Sequence, residues 1–421
     1  MARFEAFLRD SGARLFPQPC EVDVCEPFFG LGSGCRVLET LGLTVNYICC
    51  CDTDDRLAIF HADAPRGRPE QKAKLLQQVS LGKKRGDMLK VALEDLQDSD
   101  VLFAGPHCQA FASCGKRKHD LDPRAKFIER VTEWIIELGR RGRLVAYFLE
   151  NSGELLNCRA GEPPLAAAIL DRLQLGLPYF RHGPALVHMD AFHPHHRERC
   201  WLRGVRLDYL FKVNGTVAHL PAPLVDLGFG RIGLADLLTP GPPCCGVESF
   251  SRGESHNYSQ YLKMIETALA LGTHGEIAVF QLDRDPTCRV ATKGRLWWDR
   301  VPSLRRGGGP VFVMSIDDLD LPVAERRFHR RLRAADRFAL QGYGMGQALG
   351  ARSENVMKSM TGNAYPLPMV AQVALPVLEL LSSRGWPYIR NCLRAQDLEC
   401  LAARGTAAVT NGGALGHNQF E

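Results

Sequence analysis

Four short apolar runs mark the first half of the chain, at residues 22–28, 44–51, 99–104 and 144–149. They are β-branched or aromatic in part and show no polar alternation, the pattern of strands buried on both faces of a sheet. Between the last two, Phe127, Val131, Trp134, Ile135 and Leu138 recur at helical spacing and Gly139 follows as a C-cap, which predicts a helix over 124–139. Strand, helix, strand at this rhythm means βαβ units, a parallel sheet and right-handed crossovers.

From about residue 205 the texture changes. Gly, Pro and Ser crowd 239–246, 251–255 and 306–310, and helical periodicity is confined to about 258–271. A strongly basic helical segment starts near Phe328, residues 357–381 again have a packed pattern, and 405–421 are polar and Gly-rich. No internal repeat is visible. The expected fold class is α/β: a doubly wound, Rossmann-like, mostly parallel sheet with a smaller, irregular insert. The expected boundaries are 1–204 for the first part of the large domain, 205–325 for the insert, 326–395 for the return and 396–421 for a flexible tail.

Composition narrows the class without naming it. At 421 residues, 45% apolar and 24% charged, the chain has the balance of a globular protein with two or three domains, not of a disordered, collagenous or small disulfide-stapled one. No apolar run reaches the roughly 18 residues that span a bilayer. Arg3, Glu5, Arg9 and Asp10 interrupt any signal-peptide core, so no membrane association is expected. Fifteen cysteines, an odd number without C-x2-C pairs, point to mostly free thiols in an intracellular reducing compartment and to no metal. A net charge of +5 is too mild to identify a polyanionic partner.

The chemistry-bearing residues follow the strands. Glu26-Pro-Phe-Phe-Gly30-Leu-Gly32-Ser-Gly34 joins the first strand to a helical stretch over 36–41, where glycines permit a tight turn and a close ligand approach. Cys35 stands where the dinucleotide fingerprint needs its third glycine, so that motif is not satisfied. Asp52 and Asp54 close the second strand, where a carboxylate can bind ribose hydroxyls. Gly105-Pro106-His107-Cys108-Gln109 follows the third strand, which puts Cys108 at the crevice of a doubly wound sheet as a candidate nucleophile. Glu150 ends the fourth strand, and Arg197 and Arg199 precede the apolar run 200–202. A thiolate, an acid and a guanidinium converging on one edge suit an electrophilic heterocycle: the first adds to the ring, the second protonates a ring nitrogen, the third holds a carbonyl oxygen.

The ordered set Phe28-Phe-Gly30-Leu-Gly32, Gly105-Pro-His-Cys108-Gln109, Glu150-Asn151, Arg197-Glu-Arg199, Leu340-Gln-Gly-Tyr343 and Gly362-Asn363-Ala364 resembles the cytosine-5 DNA methyltransferase family over about 22–376. The resemblance implies a class I methyltransferase fold, with the insert as target-recognition domain, and S-adenosyl-L-methionine as methyl donor. Phe28, Gly30, Gly32 and Pro106 would line its site, Asp52 would take the ribose, Asp87 the adenine amino group, and Asn363 would close it. It also implies that Cys108 attacks C6 of a flipped-out cytosine, Glu150 protonates N3, Arg197 holds O2 and Arg199 supports the loop. Gln109, Ser113, Lys116, Lys118 and Arg124 would belong to a mobile catalytic loop over 109–124 that closes on double-stranded DNA.

The chain departs from the family pattern at His107 (proline expected), Ala112 (serine), Ser152 (valine), Phe192 (glycine nearby), His195 (glutamine) and Ala339 (arginine). These leave open a catalytically decayed relative that binds cofactor or DNA. A tRNA cytosine-5 methyltransferase is the other alternative, although that branch's Cys-Phe-Thr signature is missing from the insert. Charge placement favours phosphate contact at 112–143 (net +4) and 326–354 (net +5), whereas 205–325 is net −2 and offers isolated arginines such as Arg252, Arg295, Arg305 and Arg306. Trp297 and Trp298 suit a core or a contact surface. A monomer in the nucleus or another DNA-containing compartment is the expectation.

Overall fold

The computed structural model describes residues 2–52, 87–111, 122–158, 163–212, 216–238, 252–272, 275–281, 296–304, 311–322, 325–326, 328–344, 354–389 and 392–411. The chain divides into two compact units. One comprises Glu5–Val187, Glu198–Val225 and Leu367–Glu421, the other Met1–Phe4, His188–Arg197 and Asp226–Pro366. Set against the expected boundaries at 205 and 325, the main part of the smaller unit runs over 226–366, and His188–Arg197 joins it from ahead of residue 205. At the first, Leu207 N–H donates to Tyr179 O at 2.9 Å and Leu224 N–H to Gln372 O at 2.9 Å, which keeps 207–225 with the larger unit. At the second, Ala339 and Leu340 complete the core of the smaller unit instead of leaving it.

In chain order the larger unit contains α1 (Ala2–Leu15), β1 (Glu21–Cys25), α2 (Ser33–Thr40), β2 (Thr44–Tyr47), β3 (Val101–Ala104), α3 (Lys126–Arg140), β4 (Ala146–Ser152), α4 (Leu165–Gly176), β5 (Phe180–His188) and β6 (Glu198–Arg206). The sheet order is β2-β1-β3-β4-β6-β5. β1 runs parallel to β2 and β3, β3 parallel to β4, and β6 antiparallel to β4. This is the expected doubly wound, mostly parallel class. The order reverses between β1 and β3, so the turns leaving these two strands flank the switch point where such sheets bind ligands. Gly34 allows α2 to lie against β3: a Cβ there would come within 2.4 Å of the Phe103 ring.

β1 and β2 stop earlier than their apolar runs, at Cys25 and Tyr47. Phe28, Gly30 and Gly32 all take positive φ (58°, 51° and 63°), which ends the extended backbone. The fully buried Glu26 instead turns back on the helix, its two carboxylate oxygens accepting the N–H groups of Gly34 and Cys35 at 3.0 and 2.9 Å. Gly32 at the N-cap has no side chain to do this, so Glu26 caps α2 from a distance. Glu26→Gln is expected to lower stability by about 1–3 kcal/mol in chemical denaturation, because an amide offers only one acceptor oxygen to two buried donors. An unchanged midpoint would contradict the remote cap.

The smaller unit is not irregular. It holds α5 (Arg252–Ala270), β7 (Ile277–Gln281), β8 (Leu296–Trp298), β9 (Val311–Ser315), β10 (Arg330–Arg331), α6 (Ala334–Leu340) and α7 (Glu354–Asn363). Its strands form an antiparallel sheet in the order β10-β9-β7-β8. Alternation splits the sheet's side chains between two apolar clusters: Val279, Val313 and Trp297 pack with Leu237 and Leu340, while Ala278, Phe280, Phe312, Met314 and Trp298 pack with Tyr258 and Tyr261 of α5. The two tryptophans thus serve opposite faces. Of the basic segment, Arg330 and Arg337 are buried, at 1% and 3% exposure, while Arg326, Arg331 and Arg333 are half-buried.

The chain returns to the larger unit through α8 (Leu367–Ser383) and α9 (Ala395–Asn411). Val356–Ser383 is long and apolar enough to cross a membrane by length and composition, and 83% of its most apolar 18-residue window is buried inside the protein. Residues 395–411, assigned largely to a flexible tail, are helical, with Leu398 and Leu401 at 4% and 6% exposure supplying the packing contact.

Candidate active site

The parallel strands bring their carboxyl ends to one edge, and four turns leave the larger unit there. After β1, the turn through Phe28, Gly30 and Gly32 is fastened to the end of β2. Pro27 bridges Cys51 in parallel fashion, Phe29 N–H donates to Cys51 O at 3.1 Å, and Gly30 N–H donates to Asp52 Oδ2 at 3.0 Å. Asp52 therefore shapes the turn beside which it was expected to bind ribose. Asp87 caps a short 3-10 turn over Met88–Lys90 by accepting Leu89 N–H at 3.2 Å. Cys51 is buried, and burial pushes its thiol well up, so it is an inert neighbour.

After β3 comes the turn bearing Pro106, His107 and Cys108. Cys108 opens a single 3-10 turn, Cys108–Ala110, its carbonyl accepting Phe111 N–H at 2.9 Å. The turn is clamped from β4. Buried Asn151 donates from Nδ2 to Pro106 O at 3.2 Å while its Oδ1 accepts Ser152 N–H at 2.8 Å. Ser152, where valine was expected, caps the following 3-10 turn by accepting Glu154 N–H at 3.4 Å. Arg124 is bound to Asp122 through Nε at 2.8 Å and a terminal nitrogen at 2.5 Å. That hydrogen bond raises its pKa, and the charge of a Cys108 thiolate acts in the same direction.

β4 and β6 assemble the acid with its partner. Their antiparallel register sets Glu150 opposite Trp201 and Ser152 opposite Arg199. Arg199 thus shares a pleat face with Glu150, and its Nε lies 2.9 Å from Glu150 Oε1. Glu150 is 5% exposed. The negative charge of Glu150 adds to burial in pushing the neighbouring Cys200 thiol up to about 12. The resemblance gave Arg197 the role beside the base and Arg199 the loop; the register instead places Arg199 on the acid.

Arg197 belongs to the smaller unit, where its guanidinium donates to Leu304 O at 3.4 Å and to Ala364 O at 3.2 Å. His195 explains how histidine stands in for glutamine. One ring nitrogen, Nδ1, faces Leu340 O at 3.2 Å and the other, Nε2, accepts Leu304 N–H at 3.2 Å, the donor-and-acceptor pair an amide would supply. Asn363 ends α7 in the same unit; its side chain, like those of Gln109 and Arg252, lies outside the described residues, as do Asp54, Ala112, Ser113, Lys116, Lys118, Arg295, Arg305 and Arg306. Among the described residues, no group of three His, Cys, Asp or Glu is arranged to hold a metal.

The turn after β1 discriminates between cofactors. A phosphate-binding turn presents the free N–H groups of a helix N-terminus to the anion. Here Glu26 already occupies those of Gly34 and Cys35. A carboxylate in that position repels phosphate and suits a cofactor whose reactive end is uncharged or cationic. Glu26 was not assigned a role by the sequence reading, and Phe127, a ring partner of His107, was read only as part of a helix. The signal for Glu26 was present, a carboxylate ending an apolar strand as Glu150 does.

The sequence model of the C-5 cytosine-specific DNA methylase family matches residues 69–225, a stretch that contains Cys108, Glu150, Arg197 and Arg199. The chain is 39% identical over 106 residues to the Type II methyltransferase M.HpaII of Haemophilus parainfluenzae. That match covers 25% of this chain and spans 28% of the relative's length. Two solved structures share the fold at a TM-score of 0.50: the methyltransferase EhMeth of Entamoeba histolytica (13% identity, 86% of this chain and 99% of that one) and the Dnmt2 methyltransferase of S. pombe (14% identity, 87% and 99%).

Proposed function

We propose that this chain, whose residues 69–225 match the sequence model of the C-5 cytosine-specific DNA methylase family, transfers a methyl group from S-adenosyl-L-methionine to C5 of a cytosine in double-stranded DNA. The observation that carries this reading is the Glu150–Arg199 pair at 2.9 Å on the sheet edge from which the clamped Cys108 turn also leaves. The cofactor would rest on the turn of Phe28, Gly30 and Gly32, with Asp52 and Asp87 on its nucleoside side and Pro106 beside it, and it supplies an electrophilic methyl. Arg199 would keep Glu150 oriented and offer its guanidinium to a base carbonyl; Arg197 lies in the smaller unit, on Leu304 O and Ala364 O. Cys108, as thiolate, adds to C6 of the cytosine while Glu150 delivers a proton to N3, which makes C5 nucleophilic. After methylation, loss of the C5 proton to a base and β-elimination regenerate the C5–C6 double bond and release the thiolate, while the N3 proton returns to Glu150. A stacked cytosine does not expose C6 to a thiol, so the base must leave the helix.

Tritiated methyl incorporation into unmethylated duplex DNA and into purified tRNA tests substrate and reaction together. DNA should be the preferred acceptor, and a duplex carrying 5-fluorocytosine should be captured covalently once the methyl donor is present. Preferential labelling of tRNA would move the same chemistry to RNA. Cofactor binding without transfer or capture would identify a decayed relative.

A further inference from the structure

Three aromatic rings converge immediately before the nucleophile. Phe28 and His107 meet at 5.8 Å between centroids, His107 and Phe127 at 5.2 Å, and Phe28 and Phe127 at 5.3 Å, both contacts with Phe127 being edge-on. Each ring comes from a different element of the larger unit: the turn after β1, the turn after β3 and the first turn of α3. The backbone adds a second observation. His107 has φ −51° and ψ 110°, and that φ lies in the range to which a pyrrolidine ring confines proline. The family pattern expects proline at this position, so the chain keeps proline's backbone angle without its covalent restraint.

We propose that His107 is a positioning residue: its ring, held between Phe28 and Phe127, replaces the missing pyrrolidine restraint and keeps the Cys108 turn in register with the turn of Phe28. Edge-on and tilted aromatic contacts prefer defined geometries, so three mutually contacting rings resist rotation of the backbone that carries them. A residue at the same angle with no ring and no pyrrolidine would leave the peptide before Cys108 free to move. The nucleophile would then sample positions away from its attack geometry, where a displacement of about 1 Å costs up to about a hundredfold in rate. Because Phe28 also belongs to the turn assigned to the cofactor, the same contact links the seating of that ligand to the orientation of the thiol. This deepens the reading of Cys108 as nucleophile and of Phe28 as part of the cofactor site, and rests on it.

The test compares wild type with His107→Ala, His107→Phe and His107→Pro. His107→Ala should lower kcat and the rate of 5-fluorocytosine capture about ten- to a hundredfold, with KM for DNA and the thermal midpoint nearly unchanged. His107→Phe, which keeps a ring, and His107→Pro, which restores the covalent restraint, should each recover most of the lost rate. An unaffected His107→Ala, or failure of both Phe and Pro to recover activity, overturns the proposal. A substrate-free measurement separates it from the functional reading. Iodoacetamide alkylation followed peptide by peptide should be several-fold faster at Cys108 in His107→Ala while the exposed Cys158 and Cys392 keep their rates. Wild type that methylates neither nucleic acid would defeat the functional reading, and equal alkylation of Cys108 in wild type and His107→Ala would defeat the positioning role.

Discussion

Cys108→Ala is expected to abolish methyl transfer, by at least about 10³-fold, the scale on which loss of a covalent nucleophile acts. The size follows from what the thiolate does. Without addition at C6, C5 of cytosine is part of an aromatic ring and a poor nucleophile, and neither Glu150 nor Arg199 can compensate. The variant should fold normally. The turn is held by the Phe111 N–H to Cys108 O bond and by Asn151 on Pro106 O, neither of which uses the thiol. The check is tritiated methyl incorporation at matched cofactor occupancy, together with loss of capture by a 5-fluorocytosine duplex. Incorporation near the wild-type rate in Cys108→Ala would remove the covalent mechanism and leave the fold without an explanation of its activity.

The largest stability effect is expected at Asp336. Its carboxylate meets Arg330 in a two-pronged pair at 2.6 and 3.0 Å, with the two side chains 0% and 1% exposed. The same carboxylate accepts Arg333 N–H at 2.7 Å, which caps α6. Asp336→Asn keeps the shape and removes the charge, leaving a guanidinium in an interior that cannot solvate it. The cost should be about 3–5 kcal/mol, the range for breaking one partner of a buried ion pair. Replacing both residues with apolar ones of similar volume, Arg330→Met with Asp336→Leu, should recover much of that loss, because the penalty belongs to the stranded charge and not to the absent attraction. Urea unfolding of the three proteins checks both statements. A loss below about 1 kcal/mol in Asp336→Asn would mean the pair is solvated after all.

How legible these sites were in the sequence depended on the range of the interactions. The apolar runs over 99–104 and 144–149 marked parallel strands, and the residues just beyond them, Cys108 and Glu150, were predictable at the carboxyl edge because a parallel sheet places all such ends together, whereas Glu26 lay inside the run 22–28 that the structure ends at Cys25. Arg199 was visible as a cation near the edge, but its attachment to Glu150 comes from an antiparallel register between segments some 50 residues apart in sequence. A shift of that register by one residue would have put Arg199 on the opposite face. The basic run after Phe328 was legible only in part for a related reason. Charge counts do not reveal that Asp336 turns Arg330 inward, so part of the segment's positive charge is spent inside the protein. The four-stranded sheet of the smaller unit was missed because its strands are short and separated by long Gly- and Pro-rich stretches, and their alternation emerges only when both faces are covered.

The sequence by itself determined the parallel α/β architecture, the sheet edge at which the candidate groups Cys108 and Glu150 end their strands, and their order along the chain. These depend on local periodicity and on the rule that strand ends converge. The tertiary structure alone decided which guanidinium meets the acid, which cations are spent internally, and that His195 and His107 do with rings what an amide and a pyrrolidine do elsewhere. Those outcomes rest on contacts between distant segments, whose register and burial no stretch of sequence contains on its own.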